Sequence, residues 1–164
     1  MNETLILLVQ FMVCAGMNLW LLVSLYDNWR HPYLNESGVA MVMRFDLMSE
    51  QYPDDFRLLE HRRIDSPRVI RCVYYLLVTF ETITAIALTA SSACLLLALL
   101  GQADPVFARS MAVVGALAFT MTWSAFLIGG NYFAYWYCHF QAQATHFLLS
   151  LWGIGLLILL LLPS

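Results

Sequence analysis

The chain has 164 residues, 61% of them apolar and only 12% charged, with a net charge of −3 at pH 7. Soluble domains carry roughly a quarter charged residues, so this composition excludes an ordinary water-soluble fold. So small a charge, acidic at that, does not imply a nucleic-acid partner, and none is expected. The expected surroundings are membrane lipid, entered by a single integral domain over residues 1–164.

Four apolar runs approach the roughly 20 residues a helix needs to cross a hydrocarbon core about 30 Å thick. No run alternates in polarity, which argues against a barrel. The first covers residues 5–25. It lacks the basic start and the cleavage site of a secretory signal and is too long for its apolar core, so it is expected to remain as a crossing. Cys14 in this run reads as an ordinary buried cysteine. The other cysteines, Cys72, Cys94 and Cys138, form no CxxC pair, and no zinc or redox site follows from them.

Residues 26–67 are the one connection long enough to hold structure, and they are read as an extramembrane cap. Helical pieces are expected over 38–48 and 54–63, parted by Tyr52 and Pro53. Asp65 and Ser66 before Pro67 predict a capped helix start. The second crossing, 69–100, then ends at Gly101. A helix from Pro67 to Leu100 is about 50 Å long at 1.5 Å per residue, so its first turns must project beyond the apolar layer or tilt. Those turns carry Arg68 and Arg71. Together with the arginines of the cap, they place seven of the chain's eight arginines on one side, with Arg109 on the other.

A short link at 101–110 leads to the third crossing, 111–130, where Gly129 and Gly130 read as a helix stop. A second link, 131–139, leads to the fourth crossing, 140–162. All eight tyrosines, including Tyr26, Tyr33, Tyr52, Tyr74 and Tyr135, fall on the cap side or at its interface. Aromatic belts form at both interfaces, so this asymmetry predicts a structured cap. The expected fold is all-α, a four-transmembrane-helix bundle with a structured cap between helices one and two and both termini opposite that cap.

Three stretches together resemble a bacterial family of predicted small integral membrane proteins, domain of unknown function twenty-one sixty-five. They are Asn35 through Val39 to Asp46; Arg62-Arg63-Ile64-Asp65-Ser66-Pro67 followed by a helix bearing Glu81; and Ile128-Gly129-Gly130-Asn131-Tyr132-Phe133 with the aromatic run after it. The chain departs from the family at Asn131, where an acidic residue is usual, and in lacking a basic N-terminus and basic second connection. The resemblance implies architecture and no activity. It also implies cytoplasmic termini and a periplasmic cap in a bacterial inner membrane, whereas the arginine count alone would place the cap in the cytoplasm. The periplasmic placement is preferred because eight acidic residues in the cap are available to pair with its arginines.

Glu81 is the one acidic residue inside an apolar run, and an intramembrane carboxylate is a candidate functional group because an unpaired charge in lipid is costly. Its structural reading is a pair with Arg62 or Arg63, or bonds from Thr79, Thr82 and Thr84. His139 and His146 share a helix face about 10 Å apart along the axis, too far to hold one metal. His31 and His61 in the cap read as solvated. No cofactor, metal site or catalytic motif is expected, and an enzyme is not. The leading functional expectation is a protein partner held by an exposed cap surface around Trp29, Tyr33, Arg57, Arg62, Tyr135 and Trp136. Tyr, Trp and Arg are the anchor residues of protein interfaces. An accessory subunit or an immunity protein against a membrane-acting toxin would work this way. A small transporter or proton-conducting element using Glu81 is the alternative, and oligomeric state is left open.

Overall fold

The computed structural model of the chain describes residues 3–162, and among these it contains helices and turns without strands. In chain order the helices are α1 (Glu3–Arg30), α2 (Pro32–Met43), α3 (Asp46–Gln51), α4 (Pro53–Leu59), α5 (Pro67–Leu99), α6 (Pro105–Tyr132) and α7 (Phe140–Leu161). A single 3-10 turn, Glu60–Arg62, follows α4. Helices α1, α5, α6 and α7 are long and apolar enough to cross a membrane, giving the expected all-α bundle of four crossings.

Proline sets four of the helix starts. Pro32, Pro53, Pro67 and Pro105 each lie in the first turn of a helix, where their fixed φ suits and their missing N–H is not needed. Asp104 completes the start of α6 by accepting the Phe107 N–H at 2.9 Å. Ser66 stands at the N-cap of α5 but makes no side-chain cap bond, and Asp65 instead takes Arg63 at 2.8 Å. Gly101 ends the second crossing at φ 70, the left-handed conformation that glycine adopts without a Cβ penalty.

The cap departs from expectation in its boundaries. Its first helix begins at Pro32, not at residue 38, and breaks at Phe45, which sits left-handed at φ 56. Helix α6 runs from Pro105 through Gly129 and Gly130 to Tyr132, so the glycine pair does not stop it.

Packing follows the chain: α5 lies against α1, α6 against α5 and α7 against α6. Ala108, Ala112 and Ala116 form a fully buried stripe on α6, and Gly115 brings its backbone close to Ser91 and the Ala87 carbonyl of α5. Gly153 of α7 approaches Thr120 of α6 in the same way. Small residues let membrane helices pack this tightly, because lipid supplies no hydrophobic drive between them and close contact must do so. Ser91 Oγ bonds the Met111 carbonyl at 2.7 Å, and Thr84 meets Thr122 at 2.8 Å. Val23, Ile86, Ile128 and Leu148 point outward and are exposed, which hydrocarbon accommodates and water would not.

At the end away from the cap, Gln10 of α1 is fully buried and donates to the Leu159 carbonyl of α7 at 3.1 Å. Arg109 donates to Gln10 at 3.3 Å and to Glu3 at 3.4 Å. The first and last crossings are thus tied together at their remote ends.

At the opposite end a second, smaller core forms from Phe45, Met48, Phe56 and Ala134, with Phe133 and Tyr137 against it. It unites the long connection with the short 133–139 turn. Tyr137 donates to Asp55 at 2.9 Å and Arg62 donates to the Tyr132 carbonyl at 3.0 Å across the same seam. The first and third connections therefore make one cap.

Candidate functional site

The six cap residues grouped by sequence do not share one environment. Trp29 is exposed, donates to Thr82 at 3.2 Å and leans on Tyr75, and Tyr33 is exposed on α2. Arg57 pairs with Asp54 at 3.2 Å, Arg62 stands 5.2 Å from the Tyr132 ring centroid, and Trp136 packs on Tyr137. Trp136 borders the smaller core through Tyr137.

Tyr135 is not on that exposed surface. Expected there, it is only 3% exposed. The cause is local: Ala134 turns left-handed at φ 50 and the Tyr135 N–H closes on the Gly130 carbonyl at 3.0 Å. The ring is carried back over Gly130, where a Cβ would stand 2.6 Å from it. This recess, not a helix stop, is what Gly130 provides.

Tyr135 lands on a cavity of about 430 Å³ beneath the cap, with walls from α1, α5, α6 and α7 and a roof from α2. Glu81 lies on its wall. The carboxylate does not meet Arg62 or Arg63. Its Oε2 accepts from Asn28 Nδ2 at 2.7 Å. Asn28 Oδ1 in turn accepts from Asn35, and the Asn28 carbonyl accepts from Tyr74 Oη at 2.7 Å. Thr79 and Thr82 bond their own helix backbone and Thr84 bonds Thr122, so none of the three serves Glu81. Asn28 belongs to the last turn of α1, which puts Glu81 near the cap-side end of the crossing, as the projecting helix implies.

Across the cavity His146 is sandwiched between Trp123, at 5.6 Å and 22°, and Tyr135, at 6.1 Å and 20°. Trp123 Nε1, Tyr135 Oη and His146 Nδ1 are buried without a hydrogen-bond partner. An unmade bond on a buried polar atom costs about 1–3 kcal/mol, and three in one ring stack concentrate that cost on this wall.

Outside the crossings, burial pushes the Tyr135 phenol and the Cys138 thiol up and holds His139 below the usual histidine range. The bond to Asp55, chiefly, raises the Tyr137 phenol. Among the described residues, no three His, Cys, Asp or Glu side chains converge as metal ligands.

Sequence reasoning identified Glu81 and missed its surroundings. The available signal was the sparse polarity of the first crossing, Gln10, Asn18 and Asn28, each of which turns inward.

A family described as Predicted small integral membrane protein (DUF2165) matches residues 6–163 of the chain. No curated protein and no solved structure matches it.

Proposed function

This chain belongs to that family of predicted small integral membrane proteins, and we propose that it is a small transporter or proton-conducting element whose working group is Glu81. One observation carries the reading: the carboxylate lies on a cavity wall inside an apolar helix and is held by a neutral amide, not by a cation. A buried carboxylate left charged with no cation beside it is costly even when a neutral amide bonds it. The group therefore favours a bound proton or a cationic guest, and giving up either one is a functional event. The test is proton movement into vesicles containing the purified protein and a pH-sensitive dye. Flux is expected with the wild type and lost with Glu81→Gln; equal flux in both and in empty vesicles would overturn the reading.

The exposed side of the cap supports a second reading, a protein partner held by Trp29, Tyr33, Arg57, Arg62 and Trp136. Trp29, Tyr33 and Trp136 are 53%, 67% and 48% exposed, and Trp and Tyr are residue types that anchor protein interfaces. Alanine at these positions would leave expression intact and abolish partner capture. If the whole panel leaves every cellular phenotype unchanged while Glu81 substitutions abolish them, this second reading fails. On either reading the protein sits in a bacterial inner membrane with its cap in the periplasm, supported by the acidic partners of Arg57, Arg63 and Arg71.

A further inference from the structure

We propose that the cavity around Glu81 is a binding site for a lipophilic organic cation, which enters from the bilayer and displaces a proton from the Glu81 carboxyl. The proposal rests on Glu81 being the working group and adds the class of guest.

Charge comes first. Tyr74, Glu81, Tyr135, His139 and His146 are the titratable side chains on the cavity wall, and no arginine is among the lining residues. Arg62 is held on the Tyr132 carbonyl, Arg63 on Asp65 and Arg71 on Glu36. Glu81 is therefore the sole carboxylate of the wall, and its Oε1 accepts no hydrogen bond from a described residue. The Asn35–Asn28 relay fixes the other oxygen. Such a site attracts cations and repels anions.

The wall chemistry narrows the cation. Trp20, Tyr74, Trp123, Phe126, Phe133 and Tyr135 all line the space. Aromatic faces attract organic cations within about 6 Å through the ring quadrupole, while a small hard ion would need several oxygen ligands. At about 430 Å³ the cavity lies within the roughly 300–1,000 Å³ that organic ligands occupy.

The route follows from the helix arrangement. Helices α1 and α7 are tied at their remote ends by Gln10 and Leu159, and the cavity lies at their cap-side ends. Trp20 of α1 and Ala142 and Thr145 of α7 line it and are also exposed. This margin faces the lipid side of the bundle, so a guest that partitions into the bilayer reaches the site sideways. Exchange is one for one: the O–H bond of Glu81 breaks, its proton passes to water, and the carboxylate left behind pairs with the arriving cation.

The experiment is equilibrium binding of radiolabelled tetraphenylphosphonium to the purified full-length protein in detergent, with proton release followed in weak buffer. Saturable binding is expected at alkaline pH, weakening as pH falls, with release approaching one proton per cation bound in the lower pH range where the carboxyl starts protonated and none on the alkaline plateau. Glu81→Gln should weaken it at least about tenfold and remove its pH dependence, whereas Glu81→Asp should retain both. Tetraphenylborate, matched in size and opposite in charge, should not compete. The proposal is overturned if the anion binds as well as the cation, or if folded Glu81→Gln binds normally. Should Glu81→Gln fail to fold, the aspartate variant and the anion comparison decide. Glu81-dependent proton flux in vesicles without any tetraphenylphosphonium binding would overturn the cation while leaving Glu81 as the working group.

Discussion

Asn28 donates to Glu81 at 2.7 Å, tying the last turn of α1 to α5 across 53 residues of sequence. Removing the donor strands the carboxylate. Asn28→Ala is expected to cost about 1–3 kcal/mol, read as a lower unfolding midpoint in detergent. Glu81→Gln keeps the shape and removes the charge, and should change stability by less than about 1 kcal/mol. A larger loss from Glu81→Gln than from Asn28→Ala would show that the carboxylate is held chiefly by something other than this amide.

The ring stack of Trp123, His146 and Tyr135 carries three unpartnered polar atoms. His146→Phe retains the stack and deletes one of them. It should raise stability by about 1 kcal/mol, measured by thermal unfolding. Destabilisation of that size would mean the imidazole is bonded in the working protein.

Gly130 receives the Tyr135 ring. Gly130→Ala should expel it, costing about 1–3 kcal/mol by overpacking and raising Tyr135 accessibility to aqueous iodination. Gly129→Ala, where a Cβ meets nothing within 4 Å, is the matched control and should leave both readouts unchanged.

His139 supplies a pH dependence. Burial holds its folded value below the ordinary 6.5, so below that pH the unfolded chain binds more protons than the native one. The contribution of this group to stability is therefore constant above pH 6.5 and lost as pH falls through it. The unfolding midpoint should fall on acidification, and His139→Asn should flatten the decline. An unaltered slope in the variant would assign the effect to other groups.

Four crossings, their order and the start of α5 at Pro67 were legible in the chain because each depends on local properties. A run of apolar residues must form its backbone bonds within itself in lipid, and proline acts on its own turn. The same locality placed all eight tyrosines on one side. Tertiary structure decided what lies inside that side. Tyr135 is internal because a left-handed Ala134 and the bare backbone of Gly130 redirect it, and nothing in composition distinguishes it from exposed Trp136. Glu81 meets Asn28 and not an arginine because the register of α1 against α5 sets which polar groups share a depth. Only folding brought Asn28, Glu81, Trp123, Tyr135 and His146 to one cavity, since separations of dozens of residues leave no periodic trace in the sequence.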